Sequence, residues 1–199
     1  SSSSVYGENK KVPFETTDNV DHPISLYAAT KKSNELMAHT YGHLYGFKTT
    51  GLRFFTVYGP WGRPDMAYYL FAEAISNSQS IKVFNNGQME RDFTYIDDIV
   101  SGVTKVIQKN IDSREHYKIY NIGNNKTESL KDFIATIEIA MDEKAIKEMY
   151  PMQQGDVPRT FADVDELIKD YEYSPSIDIK LGITSFVEWF KSYKLINKR

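Results

Sequence analysis

The stretch SLYAATK, residues 25–31, begins a run of helical periodicity that continues to about residue 45. Apolar side chains spaced to share one face of such a helix occur at Leu36, Met37, Tyr41 and Leu44. Gly46 follows at the position where a helix C-cap is expected. The segment TTGLRFF at 49–55 then has the short apolar pattern of a buried strand, so the chain changes from helix to strand within a few residues.

The alternation of helices and strands continues to the end of the chain. Further strands are predicted at 80–84, 91–96 and 117–123. Further helices are predicted at 66–78, from about 97 to 109, at 129–142, from about 163 to 171, and at the C-terminus around Phe186, Trp189 and Phe190. Residues 5–24 and 57–65 have the composition of loops. This order of elements predicts an α/β fold with a largely parallel sheet.

Polar residues at three helix starts are candidate N-caps. They are Asp97 or Asp98, Ser129 with Asp132 in a capping-box spacing, and Asp163 with Glu166 in the same spacing. Each would satisfy backbone N–H groups that the first helical turn leaves without a partner.

The composition argues against several classes of partner and site. A net charge of -3 without a basic stripe does not favour a nucleic acid or an anionic membrane as partner. The absence of cysteine excludes a disulfide framework and a thiolate zinc site, and it fits a reducing compartment such as the cytoplasm. No apolar run reaches the roughly 18 residues of a membrane span. The four histidines lack metal-ligand spacing, so no metal site is predicted.

Tyr27 and Lys31 are the sharpest candidates for chemistry. Residues four apart on a helix lie on one face, about 5–6 Å apart at their Cβ atoms. A neighbouring ammonium group favours a phenolate over a phenol, which could let a tyrosine accept a proton from a sugar hydroxyl. Taken alone, a tyrosine and a lysine at this spacing are better explained by a surface ring that packs on a lysine stem.

Other stretches surround this helix in a fixed order: SSSSVYG at 1–7, FFTVYGPWGRPDMA at 54–67, RDFTYIDDIV at 91–100 and QGDVPRTFAD at 154–163. Together with SLYAATKKSNE at 25–35, they resemble the extended short-chain dehydrogenase/reductase family, specifically its NAD-dependent nucleotide-sugar 4-epimerases. The resemblance covers essentially the whole chain. It implies the C-terminal part of a Rossmann-type parallel sheet together with a small mixed α/β substrate-binding domain.

The resemblance implies that Ser2, Tyr27 and Lys31 are catalytic. Tyr27 would remove the proton from O4 of the sugar while the C4 hydride passes to NAD, and the 4-keto sugar would turn over and be reduced on its other face. Lys31 would stabilise the phenolate and bind the nicotinamide ribose, and Ser2 would align the reacting hydroxyl. Tyr27, Lys31 and Phe55 match the part of the cofactor site nearest the nicotinamide.

The same resemblance implies how a UDP-sugar would be held. Arg91 matches an arginine that grips the diphosphate, Val83 and Phe84 match the segment at the uracil, and Asp156 matches a residue that faces the nucleotide. Many hexose epimerases carry a second arginine where this chain has Gln153-Gln154, so that contact is in doubt. Ser3 and Ser4 would line the sugar pocket.

The stretch at 54–67 resembles UDP-glucuronate 4-epimerases most closely. A uronate carboxylate requires hydroxyl donors and an arginine fork, and Thr56 and Arg63 are the candidates, with Ser3 or Ser4. The acidic pair of the 4,6-dehydratases, the glutamate of the decarboxylating relatives and the cysteine of the 3,5-epimerising relatives are absent. A UDP-hexose or UDP-N-acetylhexosamine 4-epimerase, or a non-catalytic nucleotide-sugar-binding module, are the alternatives.

One departure from the family is large. The chain has no GxxGxxG segment, so we interpret it as a C-terminal fragment that alone binds NAD poorly and is inactive. We expect residues 1–57 to be a remnant of the NAD-binding domain and 58–199 to be mainly the UDP-sugar-binding domain, with 91–123 returning to the Rossmann sheet. The family also implies a homodimer formed through the helix that carries Tyr27.

Overall fold

The computed structural model describes residues 1–109, 116–153 and 156–197. Within these ranges the chain forms six α-helices: α1 (Leu26–Tyr45), α2 (Ala67–Ser76), α3 (Ile96–Gln108), α4 (Leu130–Met141), α5 (Asp165–Tyr171) and α6 (Ile179–Asn197). It also forms eight short strands: β1 (Thr49–Phe54), β2 (Thr56–Tyr58), β3 (Ser80–Val83), β4 (Glu90–Arg91), β5 (Phe93–Tyr95), β6 (Tyr117–Ile122), β7 (Glu128–Ser129) and β8 (Ile146–Met149). No helix in the described ranges is both long and apolar enough to cross a bilayer.

Most strand pairs are parallel. β1 pairs with β6, β2 with β5 and β3 with β8, all in parallel, whereas β4 and β7 form a short antiparallel pair. On its other side, β1 receives the N-terminal segment through a parallel bridge between Ser2 and Phe54. Parallel partners need helical crossovers, and the helices between these strands supply them. The predicted α/β class with parallel pairing is therefore confirmed.

The buried apolar side chains form two separate clusters. One surrounds the β2–β5 pair and the helices α2, α4 and α6, and its rings include Phe93 stacked on Phe133 with centroids 3.9 Å apart. The other surrounds β6 and includes Tyr6, Phe14 and Phe55 together with residues of α5. Two cores fit a chain of two packed units, and the boundaries of the expected domains stay a prediction.

Helix α1 buries its small and polar face instead of its apolar face. Its buried residues are Ala28, Glu35 and Gly42, whereas Leu36, Met37, Tyr41 and Leu44 are 53–63% exposed. Small residues let the helix lie close to the β1–β6 pair: a Cβ added at Gly42 would be 3.1 Å from the His116 carbonyl oxygen. The periodicity thus marked a helix correctly, but it marked a face that this chain leaves uncovered.

The predicted caps had mixed outcomes. Ser129 accepts a hydrogen bond from the Asp132 amide at 3.0 Å, and Gly46 ends α1 in the left-handed region, so both caps are confirmed. The cap at Asp97 or Asp98 is wrong, because Tyr95 takes that position without a side-chain bond. Val164 and not Asp163 takes the cap position of α5, but the Asp163 carboxylate accepts the Asp165 amide at 2.9 Å and so satisfies a first-turn N–H group as predicted. Asp98 instead accepts the amides of Ser176 and Ile177 at 3.1 and 3.0 Å.

Three element boundaries also differ from the sequence prediction. The predicted loop at 57–65 begins later, because Thr56–Tyr58 pair with β5 as β2. The predicted strand at 91–96 divides into β4 and β5, and α3 begins at Ile96. Strand β8 was not predicted, since its four residues, Ile146–Met149, are all exposed and lack the alternation that identifies a half-buried strand.

A buried ion pair joins α1 to the sheet. Arg53 on β1 bonds Glu35 on α1 at 2.8 and 3.0 Å, and both side chains are nearly inaccessible to water. Arg53 also donates to the Tyr6 hydroxyl at 2.9 Å, and Tyr6 donates to Asn121 at 2.6 Å. Burial opposes both charges, yet the mutual hydrogen bonds prevail: they raise the pKa of Arg53 and lower the pKa of Glu35.

We predict that Glu35→Gln lowers the free energy of unfolding by about 3–5 kcal/mol, because it leaves the Arg53 charge buried without a counter-charge. Since the folded-state pKa of Glu35 lies below its usual 4.5, its contribution is complete above that pH and is lost as the pH falls through the folded value. The wild type should therefore lose more stability on acidification than the variant does.

Urea denaturation at several pH values measures both effects. The matched control is Glu15→Gln, which breaks the exposed Lys11–Glu15 pair at 2.8 Å. The control should cost no more than about 1 kcal/mol. Equal losses in the two variants would contradict a structural role for the buried pair.

Candidate functional site

A cleft of about 180 Å³ collects six of the residues that the sequence analysis selected. They are Ser2, Ser3, Ser4, Thr56, Arg91 and Asp156, and the remaining lining residues are Gly7, Phe14, Ile24, Ser25, Val157 and Thr160. These positions come from the N-terminal segment, from β2 and β4, and from the loop after residue 155. The fold thus brings hydroxyl groups, a cation and a carboxylate from distant parts of the sequence to one opening.

The serine run forms one wall of this cleft as a single turn of 3-10 helix, Ser3–Tyr6. The Ser2 hydroxyl oxygen accepts from the Ser4 amide at 3.2 Å and from the Ser4 hydroxyl at 3.1 Å. Two accepted bonds use the lone pairs of Ser2 and leave its own hydrogen to be donated. Ser2 therefore keeps its own hydroxyl hydrogen available for donation.

Tyr27 and Lys31 lie on the same side of α1. The Lys31 Nζ atom is 5.4 Å from the centroid of the Tyr27 ring, and that ring is 52% exposed. Ser25, which caps α1 by accepting the Ala28 amide at 3.1 Å, lines the cleft two residues before Tyr27. The phenol is accessible to a ligand, and the Lys31 ammonium lies beside its ring.

Arg91 is fixed across the cleft by a carboxylate and two carbonyls. Its guanidinium donates to Asp156 at 2.6 Å and to the carbonyls of Glu90 and Pro158 at 2.9 and 3.2 Å. Burial lowers the pKa of Arg91, and the Asp156 charge opposes that shift. A partly desolvated guanidinium with a half-exposed carboxylate as its counter-charge is well suited to exchange that partner for a phosphate oxygen.

Six predicted residues do not line this cleft: Tyr27 and Lys31 on α1, Arg63 in the loop after β2, and Phe55, Val83 and Phe84. The Phe55 ring is buried among Tyr6 and Phe14, with centroids 6.3 Å away in each case. The Val83 side chain is buried in the first core, and its carbonyl accepts the Tyr150 amide at 2.9 Å. Phe84 lies with its ring centroid 5.7 Å from that of Tyr150.

Arg63 also stands apart from the cleft lining. It is exposed, and it pairs with Asp65 at 3.2 Å in the loop between β2 and α2. The roles of Arg63, Phe55, Val83 and Phe84 stay predictions. Of the Gln153-Gln154 pair, Gln154 lies outside the described residues.

Two larger concavities contain none of the selected residues within the described ranges. One of about 410 Å³ is lined by the loop from Tyr6 to Ile24, and one of about 740 Å³ lies between Asn124 and Pro175. Both are open to solvent and lack the pairing of hydroxyl groups with a guanidinium. The chemistry of the lining, and not the volume, therefore identifies the smaller cleft as the candidate site.

Asp92, a buried residue next to Arg91 that was not among the predicted site residues, joins the segments beside the cleft. Its carboxylate accepts the amides of Asn124 and Ala162 at 2.7 and 3.2 Å and the Thr94 hydroxyl at 3.0 Å. Its own carbonyl accepts the Thr56 amide at 3.1 Å. Burial raises the pKa of Asp92 to about 6, although these hydrogen bonds oppose the shift. An acidic residue inside an aromatic strand was the signal available in the sequence.

The described structure therefore combines an α/β fold, a tyrosine and a lysine four residues apart on one helix, a serine turn and a mostly buried arginine. The model of the NAD dependent epimerase/dehydratase family matches residues 1–123. This chain belongs to that family.

Two named relatives are similar to this chain over nearly its whole length. Protein CapI of Staphylococcus aureus is 52% identical, with 97% of this chain and 62% of the relative aligned. A probable UDP-glucuronate 4-epimerase of Rhizobium meliloti is 46% identical, with 96% of this chain and 60% of the relative aligned. The chain therefore spans about six-tenths of the length of these relatives.

Solved structures agree on the fold. UDP-glucuronic acid 4-epimerase from Bacillus cereus, in complex with UDP-glucuronic acid and NAD, superposes with a TM-score of 0.89 at 30% identity. The match covers 97% of this chain and 60% of that structure. A UDP-N-acetylglucosamine 4-epimerase from Methanobrevibacter ruminantium superposes with a TM-score of 0.87 at 27% identity.

We predict that Asp92 makes the free energy of unfolding depend on pH. Because its folded pKa of about 6 exceeds the usual 3.8, the folded protein holds the proton more tightly, and the stability contribution of Asp92 falls as the pH rises between these values. The unfolding free energy of the wild type minus that of Asp92→Asn should decline over this range and level off above it. Urea titrations at intervals of pH measure the difference.

Asp97→Asn is the matched control, since Asp97 lies in the same motif with an exposed side chain. Its difference from the wild type should change much less over the same range. A flat difference for Asp92→Asn would contradict the shifted titration.

Proposed function

We propose that this chain provides the catalytic tyrosine and the substrate cleft of an NAD-dependent UDP-sugar 4-epimerase. The observation that carries the proposal is the joint placement of a hydroxyl group, Ser2, and a guanidinium, Arg91, in one cleft that Ser25 also lines, two residues before Tyr27. A sugar nucleotide needs both groups, because its diphosphate requires a cation and its reacting hydroxyl requires an aligned proton path.

The residues divide the work by their chemistry. Tyr27 takes the proton from O4 of the sugar as it is oxidised and returns a proton on reduction, and Lys31 lies beside its ring. Ser2 donates its free hydrogen to the same oxygen and holds it in line. Arg91 releases Asp156 and binds the diphosphate, which fixes the sugar relative to Tyr27. Rotation of the 4-keto sugar before reduction then inverts C4.

The residues around Tyr27 fit a nicotinamide cofactor in part. When bound, NAD supplies the reversible hydride acceptor at C4. Lys31 has no carboxylate partner among the described residues, so its ammonium can donate to ribose hydroxyls. The Phe55 side chain fits less well, because its ring is buried in the second core and only its backbone could approach a ligand. That the 199-residue chain alone is inactive stays a prediction.

The sugar that we propose is UDP-glucuronate, and surface polysaccharide is its proposed destination. Two observations support this choice: the relatives include a probable UDP-glucuronate 4-epimerase and Protein CapI, and Thr56 with Ser3 and Ser4 places three hydroxyl groups in the cleft. Arg63 is the proposed partner of the uronate carboxylate. It lies in the loop that continues directly from β2, which contributes Thr56 to the lining.

We also propose a homodimer that pairs the exposed apolar face of α1. That face consists of Leu36, Met37, Tyr41 and Leu44, each more than half exposed. Contiguous apolar surface of this kind on a helix marks a site of association. A cytoplasmic location stays a prediction.

We predict that Tyr27→Phe in the full-length protein lowers kcat on UDP-glucuronate by about 10²–10⁴, because it removes the group that transfers the O4 proton. Binding of the sugar nucleotide, measured by calorimetry, should change little, since Arg91 and the serine turn are untouched. Tyr45→Phe is the control: it removes a hydroxyl from an exposed ring at the far end of the same helix. Binding by a wild type that shows no turnover of any UDP-sugar would favour the non-catalytic module.

A panel of substrates tests the proposed sugar. We expect kcat/KM to be highest for UDP-glucuronate and lower for UDP-glucose and UDP-N-acetylglucosamine. Arg63→Leu should reduce kcat/KM for UDP-glucuronate about tenfold or more and leave UDP-glucose within about twofold, because only the uronate presents a carboxylate. Equal losses on both sugars would count against a carboxylate role for Arg63.

A further inference from the structure

Trp61 has a combination of properties that packing alone does not explain. It lies in the loop between β2 and α2, its side chain is 78% exposed, and its backbone is in the left-handed region with φ of 61°. A bulky residue in that region carries backbone strain, and glycine would adopt the conformation without it. An exposed side chain on a strained backbone contributes little to the core, so its presence calls for another reason.

The Trp61 ring is held on the surface of α6. Its centroid is 5.3 Å from that of Trp189 and 5.9 Å from that of Tyr193, and the last two rings stack at 5.1 Å. Trp189 in turn lies 5.9 Å from Phe186, whose side chain is fully buried. We call Trp61, Trp189 and Tyr193 the aromatic clasp. Through it, the loop after β2 is attached to a helix that is rooted in the first core.

The residues on either side of Trp61 are fixed by close approach. A Cβ at Gly59 would come within 2.6 Å of the Ile96 side chain, and one at Gly62 would overlap the Tyr68 hydroxyl at 1.6 Å. Only glycine lets the backbone pass these points. The loop is therefore held at Gly59, Trp61 and Gly62 in succession, and Arg63 is the next residue.

We propose that Trp61 is a positioning residue that sets the reach of Arg63 toward the sugar, and hence the preference for a uronate. This inference rests on the proposed function, because it takes Arg63 as the carboxylate partner. The side chain of Arg63 has two polar contacts among the described residues, both exposed: Asp65 at 3.2 Å and the Met66 sulfur at 3.5 Å. Contacts of that kind do not fix a long side chain. The aromatic clasp maintains the path of the loop, and this path therefore determines which positions the Arg63 guanidinium can reach.

The test compares UDP-glucuronate with UDP-glucose in the full-length protein. We expect Trp61→Ala to reduce kcat/KM for UDP-glucuronate about tenfold, mainly through KM, and to leave UDP-glucose within about twofold. Trp61→Phe keeps a ring on α6 and should restore most of the preference. Trp61→Gly removes the ring and the backbone strain together. It should therefore lose the preference for UDP-glucuronate as Trp61→Ala does, and its free energy of unfolding should be at least as large as that of Trp61→Ala.

A double-mutant cycle shows whether Trp61 acts through Arg63. If it does, Trp61→Ala combined with Arg63→Leu should lose no more uronate preference than Arg63→Leu alone. Additive losses would overturn the proposal, as would equal losses on the two sugars. Loss of activity on UDP-glucose in Trp61→Ala would also overturn it, because it would indicate damage to the whole cleft.

Circular dichroism gives a readout that does not depend on turnover. The chain contains two tryptophans, and both belong to the clasp, so a Trp61→Phe minus wild-type difference spectrum should show the paired band of two coupled indoles. Trp189→Phe should remove the same band. Absence of this band from the wild type would overturn the clasp itself.

A wild type with the band and with turnover of neutral UDP-sugars only would instead contradict the proposed substrate and this inference together. Turnover of UDP-glucuronate with an unaltered preference in Trp61→Ala would contradict this inference alone.

Discussion

The buried pair of Glu35 and Arg53 is the constraint on which the arrangement of the candidate site depends. Glu35 lies on the helix that carries Tyr27 and Lys31, and Arg53 lies on the strand beside the serine turn. Two opposite charges removed from water must stay together, because separating them would leave each charge unpaired at low dielectric. The pair therefore restrains the position of α1, the helix that carries Tyr27, relative to β1.

The same guanidinium extends the constraint into the rest of the second core. Its bond to the Tyr6 hydroxyl fixes the residue that ends the 3-10 turn, and Tyr6 passes the connection to Asn121 on β6. Asn121 then donates to the carbonyls of Phe14 and Asp163 at 2.8 and 3.0 Å. A continuous polar network of this kind rigidifies its surroundings only when every member is satisfied. The serine turn, the loop after it and the segment before α5 are thus oriented by one set of hydrogen bonds.

On the opposite side of the cleft, a firmly held residue, Asp92, lies next to an ion pair that can exchange its partner, Arg91 with Asp156. Asp92 holds three segments together through buried hydrogen bonds, whereas the neighbouring Arg91 faces the opening and pairs with a carboxylate that is only partly covered. Because Asp92 is held by buried hydrogen bonds while Arg91 can exchange its partner, the cleft can bind an anion without a large rearrangement. The aromatic clasp has a similar effect on the loop that carries Arg63. Trp189 and Tyr193 on α6, a helix that packs in the first core, restrain this loop through their contacts with Trp61.

The sequence by itself determined the six helices of the described ranges, four of the strand regions, the α/β class, the pairing of Tyr27 with Lys31 on one helical face and the family, because these depend on local periodicity and on motifs of short span. It did not determine that the apolar face of α1 is uncovered, that Asp98 serves the loop at 176–177 instead of a helix start, or that Phe55 is turned into the core. It also did not reveal Asp92 or the contact of Trp61 with α6, which joins residues more than a hundred positions apart. Only the tertiary structure decided these points, because burial and long-range contact depend on which surfaces meet, and a single sequence carries no local signal for that.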